Sequence, residues 1–236
     1  MKYPECDVNN QLKLSGVMRY MQQAAGDHME YLQLPYDMLY EKGMVFLLTK
    51  LCLKIHRMPS AYETIRVGTA PVSTQGPRIF REFVMETGEG ERLISGLSAW
   101  VLFDPARRKL LRPAKFPYPM PFEPSSLEGA VTDIELPSRE ALTQEFCSSI
   151  RVGYSHLDCN QHVNNCVYGD FVCDMLPFEE LRTRGLDTVA IHFQHEARWG
   201  DTISMTSGPL GEGRYLVSGG HERGTCFEAL ACLLSF

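Results

Sequence analysis

The densest group of side chains suited to acid–base chemistry lies at positions 154–165, with the sequence YSHLDCNQHVNN. Asp158 and Asn160 are residue types that cap helices and form Asx turns, and the N–H groups at a helix start stabilise negative charge. His162 can transfer protons near neutral pH. The segment predicts either an acid–base site beside a helix start or a structural turn that caps the helix.

An internal repeat bears on this choice. Residues 7–12 (DVNNQL) align with residues 158–163 (DCNQHV) at an offset of 151, and residues 63–65 (ETI) align with residues 201–203 (DTI) at an offset of 138. The shorter second offset fits a shorter connection after the second helix. The sequence therefore predicts a duplicated unit.

The two copies differ at two positions that could carry chemistry. His162 aligns with Gln11 and Glu196 aligns with Met58, so an imidazole and a carboxylate occur in the second copy only. The Asp-x-Asn turn occurs in both copies and could be structural in each. We therefore expect one active site per chain, in the second half, with the first half free to bind substrate.

Each copy predicts a helix followed by an antiparallel sheet, which gives an α+β fold class. Apolar residues at spacings of three and four predict a long amphipathic helix over 14–32 and a shorter one over 163–175. Runs rich in β-branched and aromatic residues predict the strands. These runs cover residues 44–55, 63–71, 79–86 and 93–103 in the first copy and 188–195, 202–207, 214–220 and 226–236 in the second.

Proline separates the two copies. Six of the 14 prolines lie between positions 113 and 137. Proline lacks an N–H and restricts the residue before it, so this stretch resists both helix and central strand. We predict two domains, 1–112 and 138–236, joined by a proline-rich linker over 113–137.

Composition excludes several classes of protein. The net charge of −6, from 23 basic and 29 acidic side chains, argues against nucleic-acid binding, which favours a basic surface. No apolar run approaches the roughly 18 residues of a membrane helix, and no secretion signal is evident, so we expect a cytoplasmic protein without a membrane partner. The eight cysteines include no C-x-x-C pair, which favours reduced thiols.

A metal site and a cysteine nucleophile are the weaker alternatives. His156, Asp158 and His162 could ligate a metal, but no third histidine stands at helical spacing. Cysteines recur every seven residues from Cys159 to Cys173, a rise of about 10.5 Å per interval on a helix, which favours small core residues over a shared zinc. Cys159 is near His162 in sequence and could act as a nucleophile. We predict no metal ligand.

A basic stretch stands out within this acidic sequence. Arg107, Arg108, Lys109 and Arg112 occur with no acidic residue between positions 105 and 122. Such a stretch is either a solvated loop edge or a docking patch for an acidic partner or a phosphate-bearing substrate arm.

Several segments resemble the acyl-[acyl carrier protein] thioesterases of plants and bacteria. Residues 155–165, followed by Tyr168, resemble the family signature of Asp-x-Asn-x-His, then Val-Asn-Asn and a Tyr. Residues 195–201 (HEARWGD) are similar to the second signature, with Glu196 on the family's catalytic acid. Residues 80–83 (FREF) fit the family in the first half.

The resemblance implies a tandem (double) hotdog, in which two long helices, each wrapped by an antiparallel sheet, join into one continuous sheet. The N-terminal hotdog would bind the acyl chain and the C-terminal hotdog would be catalytic. The implied reaction is hydrolysis of the thioester between a fatty acyl chain and the phosphopantetheine arm of acyl carrier protein, with no metal or organic cofactor. The implied partner is acyl carrier protein, and a homodimer is left open.

For this reaction we hypothesise a mechanism in which the carbonyl oxygen is stabilised as it gains charge and a water loses a proton. Asn160 and helix-start N–H groups would polarise the thioester carbonyl. Glu196, oriented with His162, would activate water, and Asp158 would position Asn160 or His162. Ala197 stands where plant members carry a cysteine, so a Cys–His mechanism finds no support in this sequence.

We expect the acyl chain to lie in a dry chamber lined by the apolar face of the first helix. The candidate wall residues are Val17, Met18, Met21 and Ala25. The simpler interpretation is that this helix face is only hydrophobic core.

Three other functions share the scaffold. An acyl-CoA thioesterase would differ only in the partner that carries the thioester. A non-catalytic acyl-thioester binding protein would not need His162 and Glu196. A hotdog dehydratase has only the shared scaffold in its favour.

Overall fold

The structure is a computed structural model that describes residues 1–127, 131–142 and 144–235. Its helices are α1 (Leu14–Tyr31), α2 (Tyr36–Glu41), α3 (Val167–Asp174) and α4 (Phe178–Arg184). Its strands are β1 (Val45–Ile55), β2 (Ile65–Gln75), β3 (Arg78–Thr87), β4 (Arg92–Asp104), β5 (Lys109–Leu111), β6 (Phe146–Arg151), β7 (Leu186–Phe193), β8 (Thr202–Gly211), β9 (Arg214–His221) and β10 (Gly224–Leu233). No helix in the described residues is long and apolar enough to cross a bilayer.

The described chain divides into two compact units. One unit is formed by Arg19–Arg57 and Glu63–Asp133, and the other by Met1–Met18, Met58–Tyr62 and the residues from Ile134 onward. The first turn of α1 therefore belongs with the second half of the sequence, whereas the rest of α1 belongs with the first half.

The unit that contains β1–β5 is an antiparallel sheet in the order β2-β3-β4-β1, with β5 paired to β4. The helix α1 lies against one face of this sheet. A Cβ at Gly96 of β4 would come within 3.3 Å of Met21 Cε and 3.0 Å of Leu53 Cδ2, so the glycine lets these two side chains approach the strand closely. Met21 is thereby part of the buried core of this unit.

The other unit contains an antiparallel sheet in the order β7-β10-β9-β8-β6. Within this unit, the start of α1 packs closely on α3. A Cβ at Gly169 would lie 3.0 Å from Met18 Sδ and 3.1 Å from the Ser15 nitrogen. This contact places α3 directly against the start of α1.

The long first helix forms as its apolar spacing predicts. Leu14, Val17, Met18 and Met21 all lie buried on one face of α1. The helix ends in a Schellman motif, in which the Leu34 N–H donates to the Met29 carbonyl and the Gln33 N–H donates to the Glu30 carbonyl. Gln33 takes the left-handed conformation, with φ of 58°, that this ending requires.

The second helix is shorter than predicted. The pattern over 163–175 suggested one helix, but α3 covers only Val167–Asp174. The residues before Val167 form an irregular turn instead, and Pro177 separates α3 from α4 because proline restricts the residue before it. The second helix is therefore shorter than its apolar pattern predicted.

Every predicted strand run overlaps an observed strand. Sequence reasoning did not find α2, β5, β6 and α4. The two helices are too short to give a clear periodicity, and β6 (FCSSIR) is mostly exposed and lacks an alternating apolar pattern.

Candidate active site

The candidate site is built on an Asx turn at Asp158. The Asp158 Oδ1 atom accepts hydrogen bonds from the backbone N–H groups of Asn160 at 2.8 Å and His162 at 3.4 Å. The Asp158 N–H donates to the His162 carbonyl at 2.9 Å, and Gln161 has φ of 64°. The turn therefore fixes where the His162 side chain begins.

The predicted helix start beside Asn160 was wrong. The helix α3 begins only at Val167, and the N–H of Cys166 donates to the Asn164 Oδ1 atom at 2.8 Å. The backbone N–H of Asn160 is already bonded to Asp158. In this segment, aspartate and asparagine favour an Asx turn over the helix cap that the same residue types also suit.

The same turn occurs in the first copy at Asp7. Its Oδ1 atom accepts from the N–H groups of Asn9 at 2.8 Å and Gln11 at 3.0 Å. Asn10 has φ of 60°, and the Asp7 N–H donates to the Gln11 carbonyl at 2.7 Å. These contacts repeat those of the Asp158 turn at the offset of 151, which supports the predicted duplication.

Each turn is also bridged to a second segment in an equivalent way. The Val163 N–H donates to the Ala197 carbonyl, and in the first copy the Leu12 N–H donates to the Pro59 carbonyl, both at 2.8 Å. His162 forms a β-bridge with Arg198, as Gln11 does with Ser60. These bridges follow the predicted offset of 138 in the second segment.

This bridge brings His162 and Glu196 together. The His162 Nε2 atom lies 3.2 Å from Glu196 Oε2, and the other carboxylate oxygen lies 2.6 Å from Arg198 Nη2. The His162 side chain is 29% exposed and the Glu196 side chain 42% exposed, so water and a substrate can reach both. An imidazole paired with a carboxylate can relay a proton in an addition to a carbonyl carbon.

Three residues that sequence reasoning missed hold the segment that carries Glu196. Asp201 Oδ2 accepts the Arg198 N–H at 2.7 Å and forms an ion pair with Arg223. His221 Nε2 lies 3.0 Å from the Glu196 carbonyl oxygen. Burial acts to raise the pKa of Asp201, but the hydrogen bond from Arg223 and the N–H of Arg198 outweigh it and lower that pKa.

Asp201 could have been found from the sequence, because it closes the HEARWGD segment. His221 and Arg223 flank the turn between β9 and β10 and gave no comparable signal. Their role depends on a contact between two loops that are distant in sequence.

Asn160, which was predicted to be catalytic, is an exposed residue of the turn. Its backbone is fixed by Asp158. The structure thus brings His162 and Glu196 into direct contact and sets Asp158 and Asn160 in the turn that supports them.

The predicted chamber residues divide into two groups. Ala25 lines a cavity of about 320 Å³ in the unit that contains β1–β5. Val17, Met18 and Met21 are at most 3% exposed and lie in the core. For these three residues the structure agrees with the simpler interpretation of the helix face as core.

The predicted docking residues lie at the β4–β5 hairpin. Arg107 is bound back to Asp104 through its backbone N–H and its side chain, both at 2.9 Å, and these bonds lower the pKa of Asp104. Arg108, with φ of 51° in the turn, and Lys109 and Arg112 are exposed. The exposed cationic side chains therefore lie together at the β4–β5 hairpin.

A second cavity, of about 790 Å³, lies beside the turn of the first copy. Its lining includes Asp7, Asn9, Gln11 and Met58, which are the counterparts of the four predicted catalytic residues. The first copy thus keeps the turn and an open space beside it, without the imidazole and the carboxylate.

The metal and cysteine alternatives can be compared with the structure. In the described residues no three potential metal ligands come together. None of the eight cysteines, all of which lie in the described residues, forms a disulfide. Cys166 is buried, but Cys159 is exposed in the turn, so the prediction that the evenly spaced cysteines are all core residues was wrong for Cys159.

Comparison with known proteins identifies the family. The sequence matches the acyl-ACP thioesterase N-terminal domain over residues 1–115 and the C-terminal domain over residues 139–227. The chain belongs to the acyl-ACP thioesterase family. The resemblance drawn from the two signature segments is therefore confirmed.

Relatives of this acyl-ACP thioesterase family member include a chloroplastic acyl-[acyl-carrier-protein] hydrolase of Cuphea viscosissima, 26% identical over 228 residues, which are 89% of this chain and 54% of that protein. The chain spans about half the length of the curated relatives it matches.

Among solved structures, an acyl-ACP thioesterase from Bacteroides thetaiotaomicron superposes with a TM-score of 0.82 at 21% identity, covering 98% of this chain and 94% of that chain. A 12:0-ACP thioesterase from Umbellularia californica superposes with a TM-score of 0.80 at 15% identity, covering 99% and 94%. At these identities the likeness concerns the fold, and it confirms the predicted hotdog architecture.

Proposed function

We propose that this chain hydrolyses the thioester of fatty acyl-[acyl carrier protein] and releases the free fatty acid. The observation that carries the proposal is the contact of His162 with Glu196, 3.2 Å apart, between a turn and a bridged segment whose duplicates lack both residues. Membership of the acyl-ACP thioesterase family and the names of its relatives support the same reaction.

The geometry supports a general-base mechanism. Glu196 Oε2, held by His162, takes a proton from water while the water oxygen bonds to the thioester carbonyl carbon. Collapse of the tetrahedral intermediate breaks the C–S bond, and the proton passes to the leaving sulfur. Arg198 holds the second oxygen of Glu196, which keeps the first turned toward His162.

The other two predicted catalytic residues take supporting roles in this proposal. Asp158 is a positioning residue, because its carboxylate binds the backbone of the turn. The amide of Asn160 is suited to donate a hydrogen bond to the carbonyl oxygen as it gains charge. No metal or organic cofactor enters this sequence of steps.

We propose acyl carrier protein as the partner, docking on the exposed cations of the β4–β5 hairpin, which suit an acidic surface. The N-terminal hotdog would bind the acyl chain, with Ala25 in the cavity wall, and the C-terminal hotdog would be catalytic, with the proline-rich segment 113–137 between them. A cytoplasmic location belongs to the same proposal.

The test is release of free thiol from decanoyl-[acyl carrier protein] and decanoyl-CoA. We expect hydrolysis of the carrier thioester, with Glu196→Gln lowering the rate by at least about 10²-fold. Glu222→Gln, an exposed carboxylate on the β9–β10 turn, is the matched control. Replacing Arg108 and Lys109 with alanine should slow the carrier substrate and leave decanoyl-CoA unchanged.

Each alternative gives a different result. Preferred hydrolysis of decanoyl-CoA, insensitive to the hairpin cations, would favour an acyl-CoA thioesterase. Binding of both thioesters without release of thiol would favour a non-catalytic binding protein and would contradict the proposal.

A further inference from the structure

Arg81 of β3 is a buried cation that catalysis by His162 and Glu196 does not use. The residue is 6% exposed, and burial lowers the pKa of its guanidinium to about 10, so the group stays protonated at neutral pH. Among the residues that the structure describes, no carboxylate forms an ion pair with it. A buried charge without an opposite charge is costly, which points to a missing anion.

The hydrogen bonds of Arg81 leave one edge of the guanidinium open. Its Nη1 and Nη2 atoms both lie 3.2 Å from His28 Nδ1, and Nη1 also donates to Thr69 Oγ1 at 3.1 Å. A guanidinium has five N–H donors. The Nε–H and the second Nη2–H therefore remain without a partner in the described part of the chain.

His28 acts as an acceptor in this arrangement. Burial, and then the charge of Arg81, lower the pKa of His28, which keeps the imidazole neutral. Arg81 is thus held in place by a neutral ring and a hydroxyl. Its open Nε–Nη2 edge is the planar pair of donors that binds a carboxylate with two parallel hydrogen bonds.

Arg81 forms part of the wall of the cavity of about 320 Å³. Most of the remaining wall is apolar and includes Ala25, Phe46, Ile79 and Trp100. Ile79 and Arg81 stand two positions apart on β3, so both face the same side of the sheet. The cavity therefore combines a space suited to an aliphatic chain with the positively charged guanidinium group of Arg81.

Two carboxylates of α1, Asp27 and Glu30, also line this cavity. Both residues are exposed, and Asp27 Oδ1 accepts a hydrogen bond from Gln23 at 2.7 Å. Water and salt screen these exposed charges, whereas they screen the buried Arg81 much less. The two carboxylates do not neutralise Arg81.

We propose that this cavity binds an aliphatic chain that carries a carboxylate, held by the Nε–Nη2 edge of Arg81. The carboxylate could come from a free fatty acid or from the far end of an ω-carboxyacyl chain. The second source rests on the proposed thioester hydrolysis, and the first does not.

Calorimetric titration of the full chain with sodium decanoate, and with 1-decanol as a neutral chain of equal length, tests binding without turnover. Decanoate should bind the wild type, and Arg81→Gln should weaken it by at least about tenfold, since two hydrogen bonds to a charged group are lost. Decanol should not distinguish the two proteins.

Two further variants secure the interpretation. Ala25→Phe fills the cavity while keeping Arg81, and it should block decanoate even if Arg81→Gln fails to fold. Arg78→Gln removes a cation of the same strand that pairs with Asp133 and is not among the cavity-lining residues, so it should leave decanoate binding unchanged.

Hydrolysis of ω-carboxydecanoyl and decanoyl thioesters separates the two sources. If the wild type prefers the ω-carboxyacyl thioester and Arg81→Gln loses that preference, the carboxylate comes from the far end of the substrate chain. If decanoate binds without that preference, the carboxylate comes from a free fatty acid. The proposal is overturned if neither is seen in the wild type, or if folded Arg81→Gln or Ala25→Phe binds decanoate as tightly as the wild type. Arg81-dependent binding with no hydrolysis of any thioester contradicts the proposed function alone.

Discussion

The turns at Asp7 and Asp158 have the same backbone hydrogen bonds, but only the second copy places an imidazole beside a carboxylate. In both, an aspartate oxygen accepts the N–H groups two and four residues onward. The first turn carries Gln11 and its bridged segment carries Met58, whereas the second turn carries His162 and its bridged segment carries Glu196, 3.2 Å away. The Asp-x-Asn turn is therefore a scaffold, because it also forms in the copy that lacks an acid–base pair.

The hydrolysis rate should fall most when the two acid–base residues of the second copy are replaced by their counterparts from the first copy. We expect the double substitution His162→Gln and Glu196→Met to lower the rate of thioester hydrolysis by at least about 10²-fold, because it removes the proposed general base and its partner. The turn should survive, since glutamine and methionine occupy the equivalent positions beside Asp7. Steady-state thiol release, with circular dichroism as a check of folding, measures the effect.

The matched control is the reverse exchange in the first copy, Gln11→His with Met58→Glu. It should leave the rate within about threefold of the wild type, because the remaining site is untouched. A loss of activity in this control comparable to the loss in the second copy would contradict the assignment of one active site.

A second prediction concerns the helices that follow the two turns. At the offset of 151, Gly169 of α3 is the counterpart of Met18 of α1, and the two residues pack on each other. Gly169→Ala should destabilise the protein by about 1–3 kcal/mol, because the new methyl group would meet Met18 Sδ at 3.0 Å and the Ser15 nitrogen at 3.1 Å. Denaturant unfolding measures the change.

Gly26→Ala in α1 is the control for this substitution. A Cβ at Gly26 meets nothing within 4 Å, so alanine should stabilise the helix by roughly 0.5–1 kcal/mol. Equal changes in unfolding free energy for the two substitutions would show that the close contact of α1 with α3 does not contribute to stability.

The sequence was most informative where the physical signal is local or repeated. The apolar spacing of α1 predicted its extent to within one residue of Leu14–Tyr31. The alignment of Asp7 with Asp158 predicted a shared turn, and the pairing of His162 with Glu196 followed from their presence in one copy. Each of these inferences needed only periodicity or a direct comparison within the chain.

Other features depend on contacts that no local pattern reveals. The start of α3 was misplaced because the same residue types favour an N-cap and an Asx turn. Asp201 and Arg223 meet only when two loops fold together, and the burial of Arg81 contradicts the usual exposure of arginine. Val17 belongs to the core and not to a chamber wall, because the rotation of α1 over its sheet sets which residues reach the cavity.

Substitutions of Asp158 separate a structural role of this residue in the turn from a catalytic role of its carboxylate. Asp158→Ala should cost about 1 kcal/mol of stability, as Asp7→Ala should in the first copy, because each removes an acceptor for two backbone N–H groups. Asp158→Asn keeps that acceptor, so its rate should stay within about threefold of the wild type. A loss of 10²-fold or more in Asp158→Asn would make this carboxylate catalytic and not only positional.

Smaller changes in stability and rate are expected from loss of the ion pairs that Asp201 and its counterpart Glu63 form. Asp201 pairs with Arg223 beside the segment that carries Glu196, and its counterpart Glu63 pairs with Arg57 at 2.7 Å. Arg223→Ala and Arg57→Ala should each lower the stability only slightly, because both arginines are partly exposed and water screens their ion pairs. Only Arg223→Ala should also lower the hydrolysis rate, since Asp201 holds the N–H of Arg198 near Glu196.

The pH dependence of the unfolding free energy shows whether the stability lost in Arg223→Ala comes from the ion pair with Asp201. The pKa of Asp201 is lowered in the folded state, so its pairing stabilises the protein above the ordinary aspartate pKa of about 3.9, and the stabilisation is lost as the pH falls through the lower folded value. The difference in unfolding free energy between the wild type and Arg223→Ala should therefore be constant from pH 7 to about 5 and vanish in stronger acid. A difference that persists unchanged in stronger acid would mean that Arg223 acts through packing and not through the charge of Asp201.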